Sequence, residues 1–177
     1  GPQRFFCNRH RAQVFRHQFR FLPALAHASG IVRREPQMHW LMLLDDDSIV
    51  NPLELLGVIH SIDHRESRVL GDYHPFNKYF CGGSGVLFSR AATALINFDT
   101  CAQQSRSLCQ QSDWMVANCI RASGVYMDDS RGCMCGRARR SEFQEAVSRL
   151  KNESCKFVQV TGAGKQVERR AKQICSD

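Results

Sequence analysis

Three consecutive aspartates stand at the end of a short apolar segment of this sequence. Asp45, Asp46 and Asp47 follow a run of five apolar residues, 40–44, which is typical of a buried strand. Adjacent carboxylates repel one another, so the cluster is costly there unless a positive charge lies among them. A hard divalent cation, Mn²⁺ or Mg²⁺, bound through carboxylate oxygens and shared with phosphates, is the natural partner. The alternative is a solvated acidic turn before a helix, where negative charge is favoured.

A glycine-rich segment is the second candidate for chemistry. Gly82, Gly83, Ser84 and Gly85 come directly before an apolar run. Glycines let the backbone approach a ligand closely and present its N–H groups. Tight turns use the same residues, so the segment indicates a binding loop only together with other features.

The positive charge of the chain is concentrated near its N-terminus. The sequence has 24 Lys and Arg against 17 Asp and Glu. Residues 1–34 contain seven Arg and no acidic residue, and the remainder is balanced. Such an arm fits nucleic acid, a membrane surface or a phosphorylated ligand, but a helix with a solvated basic face has the same composition.

Nine cysteines are scattered along the 177 residues, and the two nearest to each other are Cys133 and Cys135. Zinc modules carry two close pairs at set spacings, which this sequence does not have. Scattered cysteines are typical of disulfides formed in an oxidising compartment, and we expect at least two. The sequon Asn152-Glu153-Ser154 is consistent with the secretory route.

Strand and helix signals alternate along the chain, which predicts a single α/β domain over residues 1–177. The composition is globular, with 43% hydrophobic and 23% charged residues. No apolar run approaches the roughly 20 residues of a membrane helix. The first predicted helix covers residues 12–26, and Pro23 is expected to bend or end it. Further helices are predicted from residue 52, with Asn51 as its cap, from Ser89 to 98, over 112–123 and from 141. Strands are predicted over 38–44, 68–73, 86–88 and 156–160.

Taken together, these segments resemble the Fringe-like β1,3-glycosyltransferases. Residues 40–56 are similar to that family's strand, triple-aspartate metal motif and following helix, and residues 82–90 to its Gly-Gly-Ala-Gly segment. The family carries Pro-Asp-Asp where this chain has residues 111–114, and its second aspartate, the proposed base, corresponds to Asp113. The resemblance covers residues 7 to about 137 and leaves 138–177 as a C-terminal extension.

The resemblance implies an inverting glycosyltransferase of the A-type fold, an α/β domain with a mixed, mostly parallel sheet flanked by helices. It implies Mn²⁺ (or Mg²⁺) as cofactor and a UDP-sugar as donor substrate. The acceptor would be a hydroxyl of a glycan or glycoprotein, and no nucleic acid is expected as a partner. The location implied is the Golgi or ER lumen, in a type II membrane protein whose anchor lies outside this sequence.

The resemblance also assigns roles to individual residues. Asp113 would be the catalytic base, and Asp47 the main metal ligand together with Asp45. Asp45 and Asp46 would also contact the nucleotide. The donor-sugar pocket would be shaped by Gly82, Gly83, Ser84 and Gly85, and Asp128 with Asp129 would be the reserve for the base.

Two departures from the family pattern lead to further expectations. The family's metal-binding histidine aligns with Met134, so coordination is weaker here or uses another group, for which residues 133–135 are the place to look. The family also has nucleotide-binding strands before the segment at Cys7, and this sequence begins after them. We therefore expect the 38–44 strand to be central in a complete sheet, with a second chain, a dimer or the arm 1–34 covering the open side.

Two other functions stay open at this stage. A metal-dependent phosphoryl-transfer enzyme or nuclease would use residues 45–47 with the basic arm on a polyanion. A non-catalytic relative would keep the fold without the metal site. Metal-dependent binding of UDP distinguishes both from a glycosyltransferase.

Overall fold

Seven segments of the chain are described by the computed structural model: residues 18–45, 48–74, 79–80, 85–105, 111–129, 135–139 and 157–161. A short 3-10 helix, Gln18–Arg20, leads into the first α-helix. The helices are α1 (Phe21–Arg34), α2 (Pro52–Ser61), α3 (Arg90–Leu95), α4 (Phe98–Ser105) and α5 (Ser112–Ala122). The strands are β1 (Trp40–Leu43), β2 (Ser48–Val50), β3 (Arg68–Gly71), β4 (Tyr73–His74), β5 (Tyr79–Phe80), β6 (Val86–Ser89), β7 (Tyr126–Asp129), β8 (Cys135–Arg139) and β9 (Phe157–Thr161).

The main sheet has four strands in the order β1-β6-β3-β7, and helices flank it. Its mixed α/β character confirms the prediction, but antiparallel pairing predominates where mostly parallel pairing was expected. Strand β6 runs antiparallel to both β1 and β3, and β3 pairs parallel with β7. The short strands β4 and β5 lie between β3 and β6 in the chain. Because β3 and β6 are antiparallel, the connection between them needs no crossover helix.

Strand β1 lies at the edge of this sheet and pairs with β6 on one side. Among the described residues no strand pairs with its other side. The expectation that this strand lacks a neighbour within the chain is therefore consistent with the structure, and the partner that would complete the sheet stays a prediction. Two smaller sheets join β2, β9 and β8, and β4 with β5.

Helix α1 packs against strand β1 and against helices α3, α4 and α5. Its side chains Leu22, Leu25 and Val32 are buried. The expectation that Pro23 ends a helix is wrong, because Pro23 lies in the first turn of α1, which continues to Arg34. Proline is tolerated there, since the first N–H groups of a helix have no intrahelical acceptor. The part of the predicted helix before residue 18 lies outside the described residues.

The core lies between the main sheet and helices α1, α3, α4 and α5. Phe88 of β6 meets Phe98 of α4 edge to face, with ring centroids 5.7 Å apart. Side chains from α5, including Val116 and Ile120, complete the same buried cluster. The α5 helix thereby has a fixed position relative to β6, which matters for the candidate site below.

Polar side chains start several helices where the sequence predicts them. Asn51 accepts a hydrogen bond from the amide of Glu54 at 3.5 Å and caps α2. Ser89 caps α3, but the helix predicted to continue to 98 ends at Leu95. The amide of Thr100 donates to Asn97 Oδ1 at 3.0 Å, so Asn97 starts a second helix in place of a continuous one.

The buried hydroxyl of Ser89 joins three parts of the fold. It donates to the carbonyl of Glu66 at 2.6 Å and accepts from the amides of Arg68 and Ala92, each at 3.1 Å. The start of β3, the end of β6 and the start of α3 are therefore held at one oxygen atom.

The guanidinium of Arg90 closes the C-terminal end of α1. It donates to the carbonyls of Glu35 and Met38 at 2.8 Å, to that of Arg33 at 3.0 Å and to that of Val32. The last carbonyls of a helix have no partner within it and attract positive charge. Arg90 therefore fixes the turn that leads from α1 into β1.

A disulfide joins α4 to α5 through Cys101 and Cys119, which are 18 residues apart in sequence and have Cα atoms 5.6 Å apart. This pairing confirms that the chain forms disulfides. The expected second disulfide stays a prediction, because most of the other cysteines lie outside the described residues.

We expect Arg90→Lys to lower the free energy of unfolding by about 2 kcal/mol, because an ammonium group cannot reach four carbonyls at once. Urea unfolding followed by circular dichroism measures this. Arg65→Lys is the matched control, since Arg65 is exposed and pairs with Asp63 at the surface. Equal stability of the two variants would contradict the role given to Arg90.

We expect loss of the Cys101–Cys119 bridge to cost about 3 kcal/mol, because a cross-link over a loop of this length restricts the unfolded chain. Thermal unfolding of Cys101→Ala, Cys119→Ala and the double variant tests this. The single variants should lose about as much as the double variant, since either one breaks the same bond. Losses that add up in the double variant would mean that the two thiols act separately.

Candidate active site

A cleft opens where the end of β1 meets the start of α5. Its walls come from the beginning of α1, the ends of β1 and β5, the beginning of β6 and the first turns of α5. The lining residues are Phe21, Leu43, Asp45, Phe80, Val86, Ser112, Asp113 and Val116. The lining is mostly apolar, and Asp45, Ser112 and Asp113 supply its polar groups.

The carboxylate of Asp45 lies in this cleft, two residues after β1. Its Oδ1 is 3.8 Å from Arg20 Nη2, and the side chains are 29% and 64% exposed respectively. The backbone of Asp45 is tied to Ser48: the Asp45 amide donates to Ser48 Oγ, and the Ser48 amide donates to the Asp45 carbonyl, both at 3.2 Å. Asp45 thus has a fixed backbone and a cation beside it, as expected for a carboxylate that needs positive charge.

Asp113 lies in the first turn of α5. Its Oδ1 accepts a hydrogen bond from the hydroxyl of Ser112 at 3.1 Å. The positive end of the helix dipole favours a carboxylate at this position. The structure therefore brings together two residues that are 68 positions apart, the first aspartate of the motif and the candidate base.

Gly85 stands directly before β6, next in sequence to the cleft residue Val86, and has a φ of +83°. A Cβ on this residue would lie 3.0 Å from Leu44 Cδ2 and 3.1 Å from Met42 Cε. The backbone at Gly85 and the end of β1 therefore approach each other closely because glycine is present. Of the glycine-rich segment, residues 82–84 lie outside the described residues.

The structure describes only some of the residues that were predicted to bind a metal ion. Asp46, Asp47 and residues 133–134 lie outside the described residues. Within the described part of the chain, no group of three or more His, Cys, Asp or Glu side chains is arranged to hold a metal ion. The metal assignments therefore stay predictions.

The reserve candidate Asp128 has a different environment. It lies on β7, outside the lining of the cleft, and its Oδ2 accepts a hydrogen bond from Arg68 Nη1 at 3.3 Å. Arg68 also pairs with Glu66 at 2.9 Å. Asp128 therefore belongs to a half-exposed ion-pair group outside the cleft, and the choice of base stays a prediction.

Sequence reasoning missed Arg20 and Ser112 as individual site residues. The only signal for Arg20 is the basic composition of residues 1–34, which does not select one arginine. Ser112 appears in sequence as an ordinary helix start, and its contact with Asp113 becomes visible only in the folded chain.

Comparison with known families decides the identity of this domain. A sequence model described as Fringe-like matches residues 10–131, which is more than half of the chain. The chain belongs to the Fringe-like family. The match includes the aspartate motif, the glycine-rich segment and Asp113. No curated protein sequence gives a significant match to this chain.

Membership of the Fringe-like family implies glycosyltransferase activity. Enzymes of this family belong to the secretory pathway, and the Cys101–Cys119 disulfide is consistent with an oxidising compartment. Among the described residues, no helix has the length and apolar character needed to span a membrane.

We expect Gly85→Ala to destabilise the Fringe-like domain by about 1–2 kcal/mol, because a Cβ is strained at positive φ and Leu44 and Met42 must move. Urea unfolding provides the measurement. Gly57→Ala is the control, since a Cβ there meets no atom within 4 Å and helix α2 gains from alanine. A loss at Gly57 that equals the loss at Gly85 would contradict the close approach to β1.

Proposed function

We propose that this Fringe-like domain transfers a sugar from a UDP-sugar to a hydroxyl of a glycan or glycoprotein, with inversion and in a Mn²⁺-dependent manner. The observation that carries the proposal is the presence of Asp45 and Asp113 in one cleft. An inverting displacement needs positive charge near the leaving diphosphate, which a cation held by carboxylates can supply, and a base near the attacking hydroxyl. The β1,3 linkage type belongs to the proposal through the family alone.

The residues near Asp45 fit a divalent cation by their chemistry. The motif supplies three carboxylates, the oxygen ligands that Mn²⁺ and Mg²⁺ take. The side chain of Asp45 is 29% exposed in the cleft and is therefore accessible to an ion. Asp47 and Asp45 would hold the ion, and Asp45 and Asp46 would contact the nucleotide. When bound, the ion would offset the negative charge of the departing diphosphate.

The role of Asp113 is to accept the proton of the acceptor hydroxyl. As the oxygen attacks C1 of the donor sugar from the face opposite the diphosphate, its proton passes to the Asp113 carboxylate, and the bond from C1 to the diphosphate breaks. The hydrogen bond from Ser112 orients that carboxylate and leaves its second oxygen for the hydroxyl. Residues 82–85 would shape the pocket of the donor sugar.

The apolar walls of the cleft support the same chemistry. Phe21, Phe80 and Val86 line it, and Phe80 is buried against Gly71, where a Cβ would lie 2.5 Å from its ring. Apolar walls lower the local dielectric, which strengthens the interactions of the two carboxylates with charged partners. They also limit the access of water, which would compete with the acceptor for the donor sugar.

We expect Asp47→Ala to abolish the Mn²⁺-dependent binding of UDP while the fold is kept, because removing one carboxylate of a crowded trio relieves repulsion. Calorimetric titration of UDP with and without Mn²⁺, together with thermal unfolding, tests both parts. Asp113→Asn and Asp63→Asn are the controls, the first in the cleft but assigned to the acceptor, the second at the surface beside Arg65. Both should keep the affinity of the unchanged chain.

Three results would count against the proposal. Unchanged UDP affinity of Asp47→Ala in Mn²⁺ would contradict the metal assignment. If the unchanged chain binds no UDP, a non-catalytic relative is favoured. Salt-dependent oligonucleotide binding without any effect of UDP favours a phosphoryl-transfer enzyme or nuclease instead.

A further inference from the structure

An exposed tryptophan stands beside the candidate base. Trp114 follows Asp113 in the first turn of α5 and is 41% exposed, whereas the next two residues, Met115 and Val116, are buried. An exposed indole can stack on a ligand. Its position next to a cleft residue makes a ligand of that cleft the first candidate.

The indole of Trp114 is held in a defined orientation. It stacks on the ring of Tyr79, with centroids 5.4 Å apart and an angle of 15° between the planes. Tyr79 belongs to β5 and packs against the core, and its neighbour Phe80 lines the cleft. The stack thus forms a rigid aromatic platform, and a ligand that binds it pays little conformational entropy.

The chemistry around the platform selects a sugar ring as its ligand. A pyranose presents C–H groups on its faces and hydroxyls on its edge, so it can lie against an aromatic ring while its hydroxyls reach polar groups. The carboxylate of Asp113, one residue away, is an acceptor for such a hydroxyl. Trp114 provides the apolar half of this combination and Asp113 the polar half.

The chain position of Trp114 points to the acceptor. Arg20 pairs at 3.8 Å with Asp45, the carboxylate assigned to the nucleotide and the metal. Trp114 directly follows Asp113, the residue assigned to the attacking hydroxyl. A ligand on the platform would therefore be the acceptor and not the base of the donor.

We propose that Trp114, stacked on Tyr79, is the platform on which the acceptor's terminal pyranose ring lies while its hydroxyl reaches Asp113. This inference rests on the proposed transferase function for the identity of the acceptor. It adds a binding residue for the acceptor and predicts that acceptors end in a pyranose with axial C–H groups on one face.

The experiment measures the binding of simple glycosides by saturation-transfer NMR titration, with and without UDP and Mn²⁺. The probes are methyl β-D-galactopyranoside, methyl β-D-glucopyranoside and methyl α-D-mannopyranoside. We expect at least one probe to bind the unchanged chain in the millimolar range, and Trp114→Ala to weaken it about tenfold or more. Trp114→Phe should bind within about threefold of the unchanged chain, because it keeps an aromatic face.

The control variant is Tyr126→Ala, which removes an aromatic side chain that is 62% exposed on β7 and lies beside Arg68 instead of beside Asp113. It should leave glycoside binding unchanged, and Trp114→Ala should leave UDP affinity unchanged. Thermal unfolding of each variant confirms that it is folded; if Trp114→Ala is not, Trp114→Gln replaces it with a side chain that retains bulk without a ring.

Several results would overturn the platform. These are binding of no probe to the unchanged chain, equal binding by Trp114→Ala, equal loss in Tyr126→Ala, or a parallel loss of UDP affinity, which would place the nucleotide base on Trp114. The experiment distinguishes failure of the platform proposal from failure of the proposed transferase function. Glycoside binding that depends on Trp114, without any UDP binding, would support the platform and contradict the transferase function. UDP binding, with glycoside binding that does not depend on Trp114, would support the transferase function and contradict the platform.

Discussion

The rest of the structure depends on the hydrogen bonds between the Arg90 guanidinium and the backbone carbonyls at the end of α1. The guanidinium meets four backbone carbonyls between the last turn of α1 and the start of β1. The adjacent Ser89 holds the starts of β3 and α3 with one hydroxyl. Two neighbouring residues therefore set the strands on both sides of β6. The direction of β1, and with it the position of Asp45, follows from these polar contacts as much as from apolar packing, since bonds to carbonyls fix direction and apolar contacts do not.

The other half of the site depends on helix packing. Asp113 is placed by α5, which is held to α4 by the Cys101–Cys119 disulfide and to the sheet by buried side chains. The cleft therefore lies between two units that are fixed in different ways, one by hydrogen bonds to the backbone and one by a covalent bond and apolar contacts. A change in either unit would alter the separation of the two carboxylates while leaving each of them in its own local environment. Arg90, which does not line the cleft, therefore still affects the position of Asp45.

Local signals in the sequence were sufficient for much of the fold, and distant pairings were not. The caps at Asn51 and Ser89 are predicted from neighbouring residues and confirmed, and the strand predicted at 156–160 is found at 157–161. Pro23 was misjudged because a proline is compatible with the first turn of a helix as well as with its end. The antiparallel position of β6 and the pairing of Arg20 with Asp45 depend on how distant segments meet, which residue spacing does not encode. The family resemblance identified Asp113, and only the folded chain shows its cleft.

The elements on either side of the three aspartates carry apolar surface that the described residues leave open. All four residues of β1 are partly exposed at a sheet edge, and α2 has no buried side chain, with Leu53 79% exposed. A bare apolar edge favours pairing with a further strand, and an uncovered apolar helix favours a packing partner. Because β1 ends just before the three aspartates and α2 follows them after the short strand β2, a segment that covered β1 and α2 would also fix the chain on both sides of the predicted metal site. Completion of the sheet by a second chain, or by another part of this one, stays a prediction, and it would contribute to metal binding as well as to stability.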